Sequence, residues 1–389
     1  MKKIVNGMMV GFVFSMVFIL FGCSNNGAEI GDDDVIKIGS MFELSGAASA
    51  YGQSMNNAVK MAVAEINEAG GIDGKEIEIV EYDTKTDETE AASLTTRLGT
   101  RDNVVAIVGP ATTGSMQASI PSANAAQVPI ISPTAADDGE LTADDGSVHP
   151  YAWRTSFTNS FQGSALALFA NNNLNATKAV VLSDNSSDYA IGLTETFTDV
   201  FEGEIVAFEN FTEGETDFSA VLTNIRELDF DVLYVPGYYE EAGPIIKQAR
   251  EMGITQPILG PDGMGNEVLR ELAGPENMNN VYYTSHFVVT SEVPEVQAFA
   301  ESYKEEFGVE ADMFTGLAYD SVYLVKNAIE IAGSSDPTAI NEALSEISDF
   351  PGITGTFSFD AMHDPVKTVN IIEIQNNEEV AVYEVDPNQ

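Results

Sequence analysis

The chain has 389 residues, 44% of them hydrophobic, and carries 61 acidic against 17 basic side chains, a formal net charge of −44. So acidic a surface repels polyanions, which excludes nucleic acid and anionic lipid as partners, and the length is sufficient for two domains. The single cysteine, Cys23, excludes an intramolecular disulfide and leaves no thiol for catalysis.

At the N-terminus, Lys2 and Lys3 precede an apolar run over residues 8–21, too short for a comfortable membrane span. The run ends in Leu20-Phe21-Gly22-Cys23, and a polar segment follows over 24–34. This resembles a bacterial lipoprotein signal. Residues 1–22 are then expected to be removed, Cys23 lipidated, and 23–34 left as a flexible tether. A single acyl chain anchors only marginally, so two or more on Cys23 would hold the protein at the outer face of the cell membrane.

From Val35 onward, strand patterns alternate with helical ones. "VIKIGSMF" precedes the helical "SMNNAVKMAVAEINEAGG", "KEIEIVEYD" precedes a helix starting near Asp87, and "NVVAIVG" precedes one at Thr113. "PIIS" is a further short strand. This β-α-β-α-β order predicts a parallel sheet with helices on both faces. Beyond Trp153 a second series of the same kind begins with "KAVVLSD", "EIVAFE", "DVLYVPG", "PILGPDG" and "NVYYTS", each strand but the last leading into a helix. The last third has helices over about 293–307, 312–332 and 337–347, then strands "GTFSFD", "VNIIEIQ" and "VAVYEV". Helices without strands of their own must pack on a sheet already built, so the chain is expected to return to its first lobe. The predicted fold is α/β, two doubly wound parallel-sheet lobes joined by three crossover segments with a ligand cleft between them. The expected division is 35–155 and 286–366 for the first lobe, and 156–285 and 367–389 for the second.

The stretch "VVAIVGPATTGSMQASI" is the first with chemical content. A buried β-branched run breaks at Gly109-Pro110, and Thr112, Thr113 and Ser115 supply capping hydroxyls before an apolar helical pattern. A helix N-terminus with added hydroxyls can seat an anion, although an ordinary N-cap has the same appearance. Catalytic patterns are missing elsewhere. His149, His286 and His363 are scattered without metal-pair spacing, no G-x-S-x-G elbow occurs, and "GPDGMGN" lacks the dinucleotide spacing. With no reactive set, no cofactor and no metal implied, the chain reads as a binder and not an enzyme.

The stretches "GSMFELSGAASAYGQSMNNAVKMAVAEINEAGGIDGKEIEIVEYDTKTD", "IVGPATTGSMQASIPSANAAQVPIISPTA", "VLSDNSSDYAIGL", "DVLYVPGYYEEAGPIIKQAREMGI", "ILGPDG" and "LAYDSVYLVKNAI" follow one another in order. Together they resemble the type I periplasmic binding proteins of the leucine/isoleucine/valine-binding group, over 35 to about 385. The resemblance implies a monomeric substrate-receiving subunit of an ABC importer that clamps an amino acid in its cleft and delivers it to permease subunits. It places a pocket aromatic at Tyr51 and the carboxylate-holding hydroxyl at Thr113, with Thr112 before it. The next ligand segment falls on Thr134, Ala135 and Ala136, where Ala136 stands in place of the family's Ser or Thr. Either Thr134 supplies that hydroxyl or one hydrogen bond is missing. From the second lobe come Tyr189, Tyr238 and Asp262, the last pairing with the ligand ammonium and expected to face solvent when the cleft is empty; Phe314 is a further aromatic. The ligand expected is a branched-chain or other neutral amino acid. The Ala136 departure leaves open a small amide, urea or carboxylate, and a sensory role in the same fold is a further alternative.

Overall fold

The computed structural model describes residues 35–143 and 145–386. The signal-like segment, Cys23, the tether over 23–34 and residues 387–389 lie outside the described residues.

The first series of elements is β1 (Val35–Phe42), α1 (Ser49–Glu68), β2 (Glu76–Asp83), α2 (Glu88–Arg97), β3 (Ala106–Val108), α3 (Thr113–Ala126), β4 (Ile130–Ser132) and β5 (Ala152–Arg154). The five strands form one all-parallel sheet in the order β2-β1-β3-β4-β5. Ala106, Ile107, Val108, Ile130 and Ile131 are fully buried, as strands covered on both faces require. Local chemistry sets the helix starts. Asp87 caps α2 by accepting from the Glu90 amide at 2.7 Å.

The second series runs α4 (Asn159–Asn172), β6 (Lys178–Asp184), α5 (Asp188–Val200), β7 (Glu204–Phe211), α6 (Ser219–Ile225), β8 (Val232–Tyr234), α7 (Tyr239–Glu251), β9 (Ile258–Gly260), α8 (Glu267–Ala273) and β10 (Val281–Ser285). After α9 (Pro294–Phe307), α10 (Met313–Ala332), α11 (Pro337–Leu344), β11 (Phe350–Gly352) and β12 (Gly355–Phe357), the chain ends in β13 (Val369–Gln375) and β14 (Glu378–Val385). The second sheet has the order β14-β13-β10-β9-β8-β6-β7. Strands β6 to β10 pair in parallel, and β13 and β14 extend the sheet antiparallel beyond β10. The stretch expected as the strand "GTFSFD" is shorter. Only Gly355–Phe357 is extended, and it pairs with β11 in a two-stranded hairpin outside both main sheets.

Helix α10 lies against α1, where the hydroxyls of Tyr319 and Tyr323 both donate to Glu65 Oε2, at 2.5 and 3.1 Å. On the neighbouring α11, Asn341 Oδ1 accepts from Trp153 Nε1 at 2.9 Å. The last third therefore packs on the first sheet before β13 joins the second. The chain passes between the two sheets three times: after β5, after β10 and before β13.

Candidate ligand-binding site

The parallel strands of both sheets deliver their C-terminal ends to one cleft, the usual place for ligands in open α/β sheets. In the first wall, β3 turns through Gly109, at φ +105°, where an added Cβ would lie 2.0 Å from the Met41 carbonyl oxygen. Only glycine fits there. Thr112 occupies the N-cap of α3, but its side chain does not cap the helix as expected. Its hydroxyl lies 2.9 Å from Glu43 Oε1 and 2.9 Å from Ser115 Oγ. Glu43, fully buried just beyond β1, also accepts from the amides of Ala111 (3.0 Å) and Thr112 (3.3 Å). Burial pushes the Glu43 carboxyl above its ordinary range, against these hydrogen bonds. An internal carboxyl thus takes the outer part of the anticipated anion seat.

Thr113 is left to face the cavity. Its Oγ1 accepts from the Ala136 amide at 3.3 Å, which leaves the hydroxyl proton for an acceptor in the cavity. The first-turn amides of α3 have no intrahelical acceptors and carry the positive end of the helix dipole. Thr134 Oγ1 donates to the Ala111 carbonyl at 2.6 Å, so its proton is committed within the protein. Ala135 and Ala136 are fully buried behind the cavity wall, with Ala136 packed in the core around Tyr189 and Leu166.

The opposite wall comes from the second sheet. Strand β9 leads through Pro261 into a single 3-10 turn, Asp262–Met264, and Ser187 caps α5, which places Tyr189 in the helix's first turn. The Tyr189 hydroxyl donates to Asp262 Oδ1 and accepts from the Gly263 amide at 3.1 Å. Asp262 Oδ2 lies 2.9 Å from His286 Nε2. Burial, and then the Asp262 charge, hold the Tyr189 phenol well above its ordinary range. Tyr238 stacks on Tyr189 with centroids 4.8 Å apart and ring planes 4° from parallel.

Tyr51 joins the walls. Its hydroxyl donates to the Gly263 carbonyl at 2.5 Å and accepts from the Tyr239 amide at 3.3 Å. Tyr239 in turn donates to the Ala47 carbonyl at 2.9 Å and accepts from the Ala50 amide at 3.2 Å. These bonds hold the first-sheet side against the second in a closed arrangement. About 300 Å³ of space free of atoms, part of it open to solvent, lies between the walls. Tyr51, Ala111, Thr112, Thr113, Thr134, Tyr189, Tyr238, Asp262, Gly263 and Phe314 line it. Rings of Tyr51 and Phe314 meet edge to face at 4.9 Å.

Eight of the ten residues expected in the site therefore surround one cavity, and Ala135 and Ala136 do not line it. In this closed arrangement the Asp262 side chain is 4% exposed, bonded to the Tyr189 hydroxyl and 2.9 Å from His286 Nε2. Sequence reasoning missed Glu43 and His286. Glu43 had a usable signal, since it is an acid directly after the first strand, where such a cleft opens. A neighbouring cavity shares Thr112, Tyr189 and Tyr238 and is rimmed by Glu88, Asp184, Asp188, Glu213, Glu240 and Glu241. Burial pushes the Glu240 carboxyl up to about 8. Among the described residues no group of three or more His, Cys, Asp or Glu is placed to hold a metal ion.

Two parallel-sheet lobes, crossed three times by the chain and closed on an aromatic cavity, define a two-lobed solute-binding protein. A family model described as periplasmic binding protein matches residues 35–379, and the chain belongs to that family. It is of type I and related to the Leu/Ile/Val-binding proteins, a class that binds solutes without catalysis. Its fold matches LivJ of Streptococcus pneumoniae, a branched-chain amino acid transporter substrate-binding protein solved in complex with isoleucine. That match has a TM-score of 0.87 and 44% identity, over 91% of this chain and 100% of the other. The leucine-binding protein LivK of Thermotoga maritima matches at a TM-score of 0.83 and 31% identity, over 91% and 99% of the two chains. The leucine-, isoleucine-, valine-, threonine- and alanine-binding protein of Pseudomonas aeruginosa is 26% identical over 334 residues, 85% of this chain and 87% of that protein.

Proposed function

We propose that the protein is the exported substrate-capturing subunit of an ABC importer, taking one branched-chain or other neutral amino acid and delivering it to the permease. The observation that carries this reading is the charge layout of one small cavity. Thr113 and the N-terminus of α3, from the first-sheet side, suit a carboxylate; Asp262, from the second, suits an ammonium. A zwitterion satisfies both only when the walls close, so it stabilises the closed form by its differential affinity. Tyr51, Tyr189, Tyr238 and Phe314 offer an apolar surround for a short side chain. The transporter role of LivJ and the amino-acid binding of LivK and the P. aeruginosa relative agree with this reading. Charged hydrogen bonds contribute about 1.5–3 kcal/mol each, so three or four with apolar burial suffice for roughly micromolar binding. In this reading the protein acts as a monomer held to the membrane through lipidated Cys23.

A thermal-shift panel of amino acids, urea, short amides and benzoate tests the ligand class. Ligand at 100 times its dissociation constant adds about 2.7 kcal/mol, so leucine, isoleucine or valine should raise the melting temperature most. A larger shift with urea or a simple acid would overturn the amino-acid reading. Thr113→Val keeps the shape and removes the hydroxyl, and calorimetry should show leucine affinity about tenfold lower with apo melting nearly unchanged. Unchanged affinity would remove Thr113 from the carboxylate seat.

A further inference from the structure

His286 lies on the second crossing between the sheets, directly after β10, and is fully buried without lining the ligand cavity. Its Nε2 is 2.9 Å from Asp262 Oδ2. Phe157, from the first crossing, stacks on its ring with centroids 3.6 Å apart and planes 21° from parallel. Its Nδ1 is buried without a hydrogen-bond partner. That asymmetry identifies the proton arrangement. With the proton on Nε2, the ring donates to Asp262 and leaves only an unprotonated nitrogen unpaired. A charged ring would bury an Nδ1–H with no acceptor, a costly state.

We propose that His286 is the positioning residue of the site: neutral, it aims the Asp262 carboxylate at the ligand amine, and protonated, it competes with that amine for the same carboxylate. The inference rests on the amino-acid reading. Where His286 is protonated in the free protein, capture of a ligand in its ammonium form then releases that proton to solvent, and charge around Asp262 stays balanced. The charged groups facing the ring are Asp262 and, more weakly, Lys367 on the third crossing. Burial lowers the His286 pKa and outweighs the opposing pull of Asp262; Lys367 acts in the same direction as burial. Lys367 is itself pushed down to about 8 by burial, so it stays mostly charged below neutral pH and does not shape the profile there.

The sign follows from linkage. A ligand ammonium beside Asp262 offsets the negative charge that favours a protonated ring, so the loaded form has the lower His286 pKa of the two. Affinity is then full above the free-form value. It falls as pH drops through the window between the two values, by up to about tenfold per pH unit.

The test is leucine calorimetry on wild type and His286→Gln from pH 5.0 to 7.5, in buffers of different ionisation enthalpy. Glutamine keeps a donor for Asp262 and cannot take the charge. Other titrating carboxyls, such as Glu240 and Asp312, are common to both proteins, so the difference between the two profiles isolates His286. Wild type should weaken several-fold towards pH 5 with proton release on binding, and His286→Gln should be flatter with less release. Leucine binding with parallel profiles in the two proteins would overturn the role of His286 and leave the amino-acid reading standing. Wild type with no heat from any amino acid at pH 7.5 would overturn both.

Discussion

Asp262→Asn should lower leucine affinity by roughly two to four decades. The substitution keeps size and shape and removes the charge that a buried ammonium needs. Breaking one half of a buried pair costs about 3–5 kcal/mol, which is that range of dissociation constants. Stability falls as well, because Asp262 is already bonded inside the protein. Asparagine keeps an oxygen for the Tyr189 hydroxyl but sets its amide against His286 Nε2. The imidazole must then move its proton to Nδ1, where no acceptor stands. A loss of about 1–3 kcal/mol in the ligand-free protein is expected, read by melting. A purely structural aspartate would show that stability loss with affinity barely changed. An affinity change below tenfold would therefore defeat the ammonium assignment.

The second large effect is expected at Arg154, which does not line the cavity but holds the loop that carries Thr134. Arg154 is fully buried on β5, with Nε 2.5 Å from Asp364 Oδ1 and Nη1 3.6 Å from Glu140 Oε2. Nη1 also donates to the Asp137 carbonyl at 2.8 Å, which ties down the loop that carries Thr134 to Asp137. Arg154→Met fills similar space and strands both acids, so about 3–5 kcal/mol of stability should be lost. For a domain of this size that lowers the melting temperature by roughly 5–15 °C. Burial already raises the Glu140 carboxyl well above its ordinary range, with Arg154 as the opposing influence, and burial also raises Asp364. A folded-state pKa above the unfolded one gives stability that is present at low pH and lost as pH rises through the folded value. Without Arg154 both values climb further, so the deficit should be smaller at pH 5 than at pH 8. Equal deficits at the two pH values would reduce the cluster to packing.

Much of the fold was legible because strand and helix signals alternate cleanly. Short apolar β-branched runs such as "VVAIVG" end on glycine, and hydroxyl or carboxylate caps start several of the helices, as at Asp87, Thr158 and Ser187. The C-terminal additions were less legible. Strands β13 and β14 resemble any alternating pair, and their antiparallel placement beside β10 depends on where the last crossing returns the chain. Strand β12 read as longer than it is because all of "GTFSFD" has strand residue types, whereas only Gly355–Phe357 pairs, with β11.

The site divided in the same way. Residues at the ends of strands were readable, since topology brings those ends together in any closed pair of parallel sheets. His286 was not, because a histidine at the end of a strand has no spacing signal of its own. Its partner Asp262 reaches it only through the packing of β9 beside β10. Thr112 was misread for a similar reason. Nothing local to "ATTG" announces that Glu43, 69 residues earlier, takes its hydroxyl and amide.

The central claim is that one cavity holds both charged ends of an amino acid. Calorimetry with leucine, isocaproate and isoamylamine tests it most directly, because the last two lack the ammonium and the carboxylate respectively. Isocaproate would leave Asp262 buried without its partner, and isoamylamine would leave Thr113 and the α3 N-terminus without an anion. Leucine should bind at about micromolar concentration, and each analogue at least a hundredfold more weakly. Isocaproate or isoamylamine binding as tightly as leucine would contradict the account.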